Sequence, residues 1–166
     1  MEIFWLTTGF IFMALTLVMV FVPRFPAAVT GYVSMICLYL SGYAMFEPYA
    51  LIFWAIAVAI AEGIRLLLPR PVVRSTMGVP YISGGALAGM AVGMLANTTA
   101  GVVAGAMAGA VLGGMAFART AKGAAMEFPS WKFFNYLAAK GLPVIVALSA
   151  AGVSIVQLLI LHRLNG

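Results

Sequence analysis

Glu62 and Arg65 are the residues of this chain whose types and spacing are best suited to chemistry. Glu62 is an acidic residue inside a long hydrophobic segment, and Arg65 follows three positions later, which places both side chains on one helix face. Ionisable residues inside a membrane commonly belong to ion or proton pathways. The alternative is an ion pair at the membrane interface, which the position of Glu62 near the end of its segment favours.

Other candidates for chemistry are scarce. The chain has no aspartate, four glutamates, one cysteine (Cys37) and one histidine (His162). Cys37 and His162 are far apart in the sequence and suggest neither a nucleophilic pair nor a zinc site, for which one chain would need three or four such ligands. No phosphate loop, dinucleotide fingerprint or nucleophile elbow is present. We therefore predict no catalytic residues, no metal and no cofactor, and a protein that is not an enzyme.

The elements that must position Glu62 and Arg65 are membrane helices. Of 166 residues, 64% are hydrophobic and 8% are charged, whereas a soluble domain is about a quarter charged. Apolar segments of this length can satisfy their backbone in lipid only as helices. We predict an all-α integral membrane protein, a single domain over residues 1–166, with about six transmembrane or partly re-entrant helices: Ile3–Val22, Ala27–Phe46, Tyr49–Leu68, Tyr81–Ala96, Ala100–Ala118 and Phe133–Leu161.

Charge along the chain predicts its orientation. With six spans, eight of the nine Lys and Arg residues fall on one side and only Arg163 falls on the other. The positive-inside rule then places both termini outside the cytoplasm, and the expected location is a bacterial cytoplasmic membrane. No basic residue precedes Ile3–Val22, so this run is expected to be a retained span. The basic residues form no cluster or stripe, which argues against nucleic acid and leaves the lipid bilayer as the expected partner.

The start of the last segment is expected to lie at the membrane interface. Ser130 is a predicted N-cap, and Trp131 and Tyr136 suit the headgroup region. Lys140 is expected to extend back to the same interface.

The fourth segment is short for a helix that crosses the whole membrane. Tyr81–Ala96 covers roughly 24 Å as a helix, against a hydrocarbon core of about 30 Å. A re-entrant hairpin that turns at Asn97 and two full crossings both leave the basic loops on the same side, so charge does not decide between them. Asn97 therefore joins Glu62 and Arg65 as a candidate ion or substrate site.

Glycine spacing is the most specific pattern in the sequence. Seven of the eighteen glycines recur every four residues on either side of an Asn-Thr-Thr turn: Gly85, Gly89, Gly93, Gly101, Gly105, Gly109 and Gly113. This spacing puts each set on one helix face, where another backbone can approach closely. We predict a glycine-zipper helical hairpin at the centre of the bundle. Close packing within one chain is favoured over a homo-oligomeric interface, which Ala106, Ala110 and Gly114 could also serve, and over a pore lining.

On these features the chain resembles the small bacterial membrane proteins catalogued as domain of unknown function 456. The resemblance rests on the Pro-rich turn Val22–Pro26, on the glycine hairpin and on Lys140 near the start of the last helix. Ala106 and Gly114 stand where that family typically has a proline and a glutamate. The resemblance implies a fold, since the family has no settled activity.

Two functions remain open. The first is a transporter, efflux component or transport-supporting protein for an ion or small solute, suggested by six spans and a broken central hairpin. The second is a non-catalytic membrane subunit or scaffold that oligomerises or binds a membrane protein partner through small-residue helix faces. An enzyme of lipid chemistry is disfavoured because acid, base and metal sets are missing.

Overall fold

The computed structural model describes residues 1–22, 25–68, 76–124 and 128–165, with side chains up to residue 161. The described chain is all-helical and contains six helices, as predicted from the sequence. In chain order they are α1 (Glu2–Met19), α2 (Ala27–Leu40), α3 (Pro48–Leu67), α4 (Val79–Met94), α5 (Thr99–Ala118) and α6 (Trp131–Asn165).

Four of these helices are long and apolar enough to cross a membrane. They are α1, α3, α5 and the first 31 residues of α6, whereas α2 and α4 are apolar but shorter, with 14 and 16 residues. Length and composition thus identify an integral membrane protein.

The end of α2 differs from the prediction. The apolar run continues to Phe46, but the helix ends at Leu40, because the chain turns at the next two residues. The hydroxyl of Ser41 donates to the carbonyl oxygen of Leu38 at 2.7 Å, and Gly42 has a φ of 74°, which glycine adopts without strain. The predicted N-cap of α6 is confirmed: the backbone N–H of Phe133 donates to the Ser130 hydroxyl at 3.1 Å.

The helices run alternately up and down, so that one end of the bundle collects the carboxyl ends of α1, α3 and α5 and the amino ends of α2, α4 and α6. We call this the basic end, because all the Lys and Arg side chains that the structure describes belong to it: Arg65, Arg119, Lys122, Lys132 and Lys140. The opposite end carries Glu47 and the turn between α4 and α5.

The last helix is the centre of the bundle. α6 contacts each of the other five helices. In the most apolar 18-residue stretch of each long helix, 61% of the residues are buried in α6, compared with 39% in α5 and 17% in α1 and α3. Ala147, Ala150 and Ala151 are completely buried, and their small side chains let the neighbouring helices approach closely. The expectation that the hairpin of α4 and α5 forms the centre of the bundle is therefore wrong. Val92 and Leu112 on the outer surface of this hairpin are exposed.

Truncation of Leu148 tests the central position of α6. Leu148 is completely buried, whereas Leu159 on the same helix is 50% exposed. We expect Leu148→Ala to lower the free energy of unfolding by about 2–5 kcal/mol, because it leaves a cavity among packed helices. Leu159→Ala is the matched control and should change it much less. Unfolding of the reconstituted protein by denaturant measures both, and equal losses would contradict a central α6.

Candidate functional site

Glu62 and Arg65 form an ion pair at the basic end of α3. Arg65 Nη1 lies 3.3 Å from Glu62 Oε2, and it also donates to the carbonyl oxygen of Phe25 at 3.3 Å. The Arg65 side chain is 14% exposed, and the Glu62 side chain is 22% exposed. The other carboxylate oxygen, Glu62 Oε1, is buried without a hydrogen-bond partner among the described residues. The pair therefore still contains one acceptor that a water, proton or ligand could satisfy.

Lys140 is the third ionisable residue of this site. It is only 5% exposed, so the expectation that it extends back to the interface is wrong. Its Nζ donates to the carbonyl oxygen of Met77 at 3.1 Å and lies 5.0 Å from the ring centre of Tyr136, one helical turn earlier on the same face of α6. The Tyr136 hydroxyl donates to the same carbonyl oxygen. A backbone acceptor thus replaces the headgroup that the sequence suggests for Lys140.

The carbonyl of Met77 reaches Lys140 because the chain turns sharply before α4. Gly78 has a φ of 71° and is buried, and a Cβ atom there would lie 2.6 Å from the ring of Phe117 and against the Tyr136 hydroxyl. Only glycine fits this conformation and this space. No sequence signal links Met77 or Gly78 to Lys140, since they are about sixty positions apart and carry no motif.

A small cavity joins the two cationic side chains. Its volume is about 30 Å³, which is room for one or two waters. Arg65 and Lys140 supply its polar lining, and most of the remaining wall is apolar, including Val20, Phe25 and Val144. Water or a small ion in this cavity would meet two positive side chains in a mostly apolar bundle. This cluster of Glu62, Arg65, Lys140 and the cavity is the candidate site.

Asn97 does not belong to this cluster. It lies in the exposed turn between α4 and α5, at the opposite end of the bundle, with a φ of 51° that asparagine tolerates better than most residues.

A groove of about 280 Å³, larger than the cavity between Arg65 and Lys140, opens at the same end of the bundle beside the first residues of α3. Glu47 and Gln157 supply its polar atoms, and Trp54 forms an apolar wall. No sequence pattern points to this groove, because its lining comes from helices that are remote in sequence.

The seven predicted packing glycines lie where α4 and α5 touch. A Cβ atom on any of six of them would collide with a backbone carbonyl of the facing helix, in the pairs Gly85 with Gly109, Gly89 with Gly105, and Gly93 with Gly101. Gly113 has the same relation to Tyr81. The two helices therefore pack backbone against backbone, and no side chain fits between them.

The second small-residue face of α5 is also used within the chain. Ala106 and Ala110 are completely buried, and a Cβ atom on Gly114 would meet the ring of Phe133 of α6 at 3.3 Å. On the facing side, a Cβ atom on Gly152 would meet Val102 of α5 at 2.6 Å. Both small faces of α5 are thus covered by other helices of the same chain.

The fold and the site define a class: an all-helical integral membrane protein with a cluster of buried and half-buried ionisable side chains at one end. No three His, Cys, Asp or Glu side chains in the described part of the chain lie close enough to hold a metal ion. Comparison of the chain with models of protein families, with curated proteins and with solved structures found no match in any of the three. Membership of the family named above therefore stays a prediction.

Two glycines of α4 test the backbone contact. Gly89→Ala would place a Cβ atom against the Gly105 carbonyl, whereas Gly84 has open space around its Cα. We expect Gly89→Ala to destabilise the protein by about 1–3 kcal/mol through overpacking. Gly84→Ala should be neutral or stabilising by up to about 1 kcal/mol, because alanine favours the helix. Thermal unfolding in lipid measures the difference, and indistinguishable variants would argue against the close approach.

Proposed function

We propose that this chain transports an ion or small solute, or supports such transport, with Glu62, Arg65 and Lys140 as its binding residues. The observation that carries the proposal is a water-sized cavity lined by buried Lys140 and by Arg65, which is paired with half-buried Glu62, in a mostly apolar bundle. Charged groups inside a membrane protein are costly, and they are commonly retained where they serve a substrate, ion or proton pathway.

Charge favours an anion as the solute. Arg65 and Lys140 supply the polar side chains of the described cavity lining, and both are positively charged hydrogen-bond donors. An anionic solute would accept charge-assisted hydrogen bonds from such donors, whereas a cation would be repelled by them. Glu62 fixes one side of the Arg65 guanidinium and so helps to orient it.

Passage would require α6 to move. The cavity at the basic end and the groove beside Glu47 both border α6, and completely buried Ala147 and Leu148 close the space between them. Pro143 lines the cavity and lies inside α6. Because proline has no N–H, it removes the helical hydrogen bond to the Ala139 carbonyl, and a helix bends most easily at such a position. This supports a hinge next to the site.

The proposal includes the kind of membrane and the orientation of the chain in it. We place the chain in a bacterial cytoplasmic membrane with both termini outside the cytoplasm, supported by the grouping of the described basic side chains at one end. The paired glycines of α4 and α5 support the description of that hairpin as a glycine zipper that stiffens the bundle.

A membrane subunit or scaffold is the second candidate. Only 17% of the residues in the most apolar stretches of α1 and α3 are buried. These two helices present large side chains such as Phe10 and Phe53 outward. These faces suit lipid, and they would equally suit a second copy or a membrane protein partner. Since the small faces of α5 are covered, a partner would bind to large apolar side chains such as these. Absence of flux together with a stoichiometric partner on purification would favour this candidate.

Flux through liposomes tests transport. We expect the purified chain to release chloride or nitrate faster than sodium, and Arg65→Gln or Lys140→Met to slow anion release about tenfold, since each removes a charged hydrogen-bond donor. Lys132→Met is the matched control, because Lys132 is exposed at the same end and lies outside the cavity.

Folding of each variant is checked by its helix content and melting temperature. Folded variants with unaltered anion release would contradict the assignment of the site. Release no faster than from empty liposomes would contradict transport by the chain alone.

A further inference from the structure

The basic end also carries a groove that is separate from the candidate site and differs from it in chemistry. It lies where α5 ends and the chain approaches α6, its volume is about 280 Å³, and it is lined by Met115, Ala118, Arg119 and Phe128. Among the described residues of its lining, Met115, Ala118 and Phe128 are apolar and Arg119 is an exposed cation. The groove therefore offers one cation beside a surface that suits hydrocarbon.

Further basic residues surround this groove. Lys122 in the connection between α5 and α6 and Lys132 in the first turn of α6 are both exposed. Together with Arg119 they give the segment 119–132 three positive charges against the single Glu127, which lies outside the described residues, so its net charge is +2. Basic residues of this kind next to a membrane attract anionic lipid headgroups.

Aromatic side chains place the groove at the depth of the headgroups. Trp131 is 80% exposed and Phe134 is 49% exposed, three and six positions after Phe128 in the chain. The Phe128 ring is itself held against Phe133, with 5.1 Å between the ring centres, so it forms a fixed wall. Exposed aromatic residues at a helix end are typical of the membrane–water interface. A free anion would gain nothing from such a wall, whereas the glycerol and first methylene groups of a lipid would.

We infer that this groove binds the headgroup of an anionic phospholipid. Arg119 contacts the phosphate, Lys122 and Lys132 contribute attraction from nearby, and Met115, Ala118 and Phe128 cover the glycerol and the start of an acyl chain. The inference rests on the membrane location of the chain and is independent of whether the chain transports anything.

Lipid titration of the intact chain tests the inference. Native mass spectrometry of the detergent-purified protein would compare phosphatidylglycerol with phosphatidylcholine. We expect saturable binding of phosphatidylglycerol, about fivefold weaker in Arg119→Gln, because one basic residue near the headgroups contributes about that factor. Arg163→Gln removes the same charge from the far end of α6 and should leave binding unchanged. Met115→Trp, which fills the groove and keeps every charge, should weaken it as well.

Several outcomes would overturn the inference. Equal weakening by Arg119→Gln and Arg163→Gln would show attraction by net charge alone. Unaltered binding in folded Met115→Trp would show that the groove is not occupied. Saturable binding of inorganic phosphate that Arg119→Gln abolishes would assign the site to a free anion in place of a lipid. Helix content and melting temperature establish that each variant is folded.

Discussion

The structure depends on close packing around α6. A long apolar helix can be enclosed by five others only if backbones approach closely at several places. Gly31 of α2 provides one such place, since a Cβ atom there would lie 3.3 Å from the Ala147 Cα atom. Gly152 of α6 leaves room for neighbouring side chains, since a Cβ atom there would lie 3.0 Å from Met90 Cγ of α4. Lipid cannot supply the dispersion contacts made at these places, and they hold the bundle together without a difference in polarity between its inside and its surroundings.

The burial of Lys140 follows from this arrangement. A lysine on a peripheral helix could extend along the surface to the headgroups, but Lys140 lies on the enclosed helix. Its ammonium group therefore binds a backbone carbonyl, that of Met77, and lines a cavity with Arg65. The glycine hairpin contributes indirectly. Because α4 and α5 pack without side chains between them, they form a compact pair whose other face fits α6, and the turn before α4 presents the Met77 carbonyl.

The sequence predicts local features well and the centre of the bundle poorly. The helices, the Ser130 cap and the pairing of Glu62 with Arg65 all follow from short-range spacing, and the structure contains each of them. The central position of α6 has no such short-range signal, since lipid and protein interior are equally apolar and the apolar character of a helix does not show which of the two surrounds it. The burial of Lys140 could not be predicted for the same reason, because it depends on which helix is enclosed.

Disulfide formation between α4 and α6 tests the enclosed position of α6 most directly. A Cβ atom on Gly152 would lie 3.0 Å from Met90 Cγ, so Met90→Cys with Gly152→Cys in a Cys37→Ser background should form an intrachain disulfide on mild oxidation. Val92, 68% exposed, is the control, and Val92→Cys with Gly152→Cys should not cross-link. A cross-link at the first pair alone, within one chain, is the result we predict. Its absence, or equal cross-linking of both pairs, would contradict a bundle built around α6.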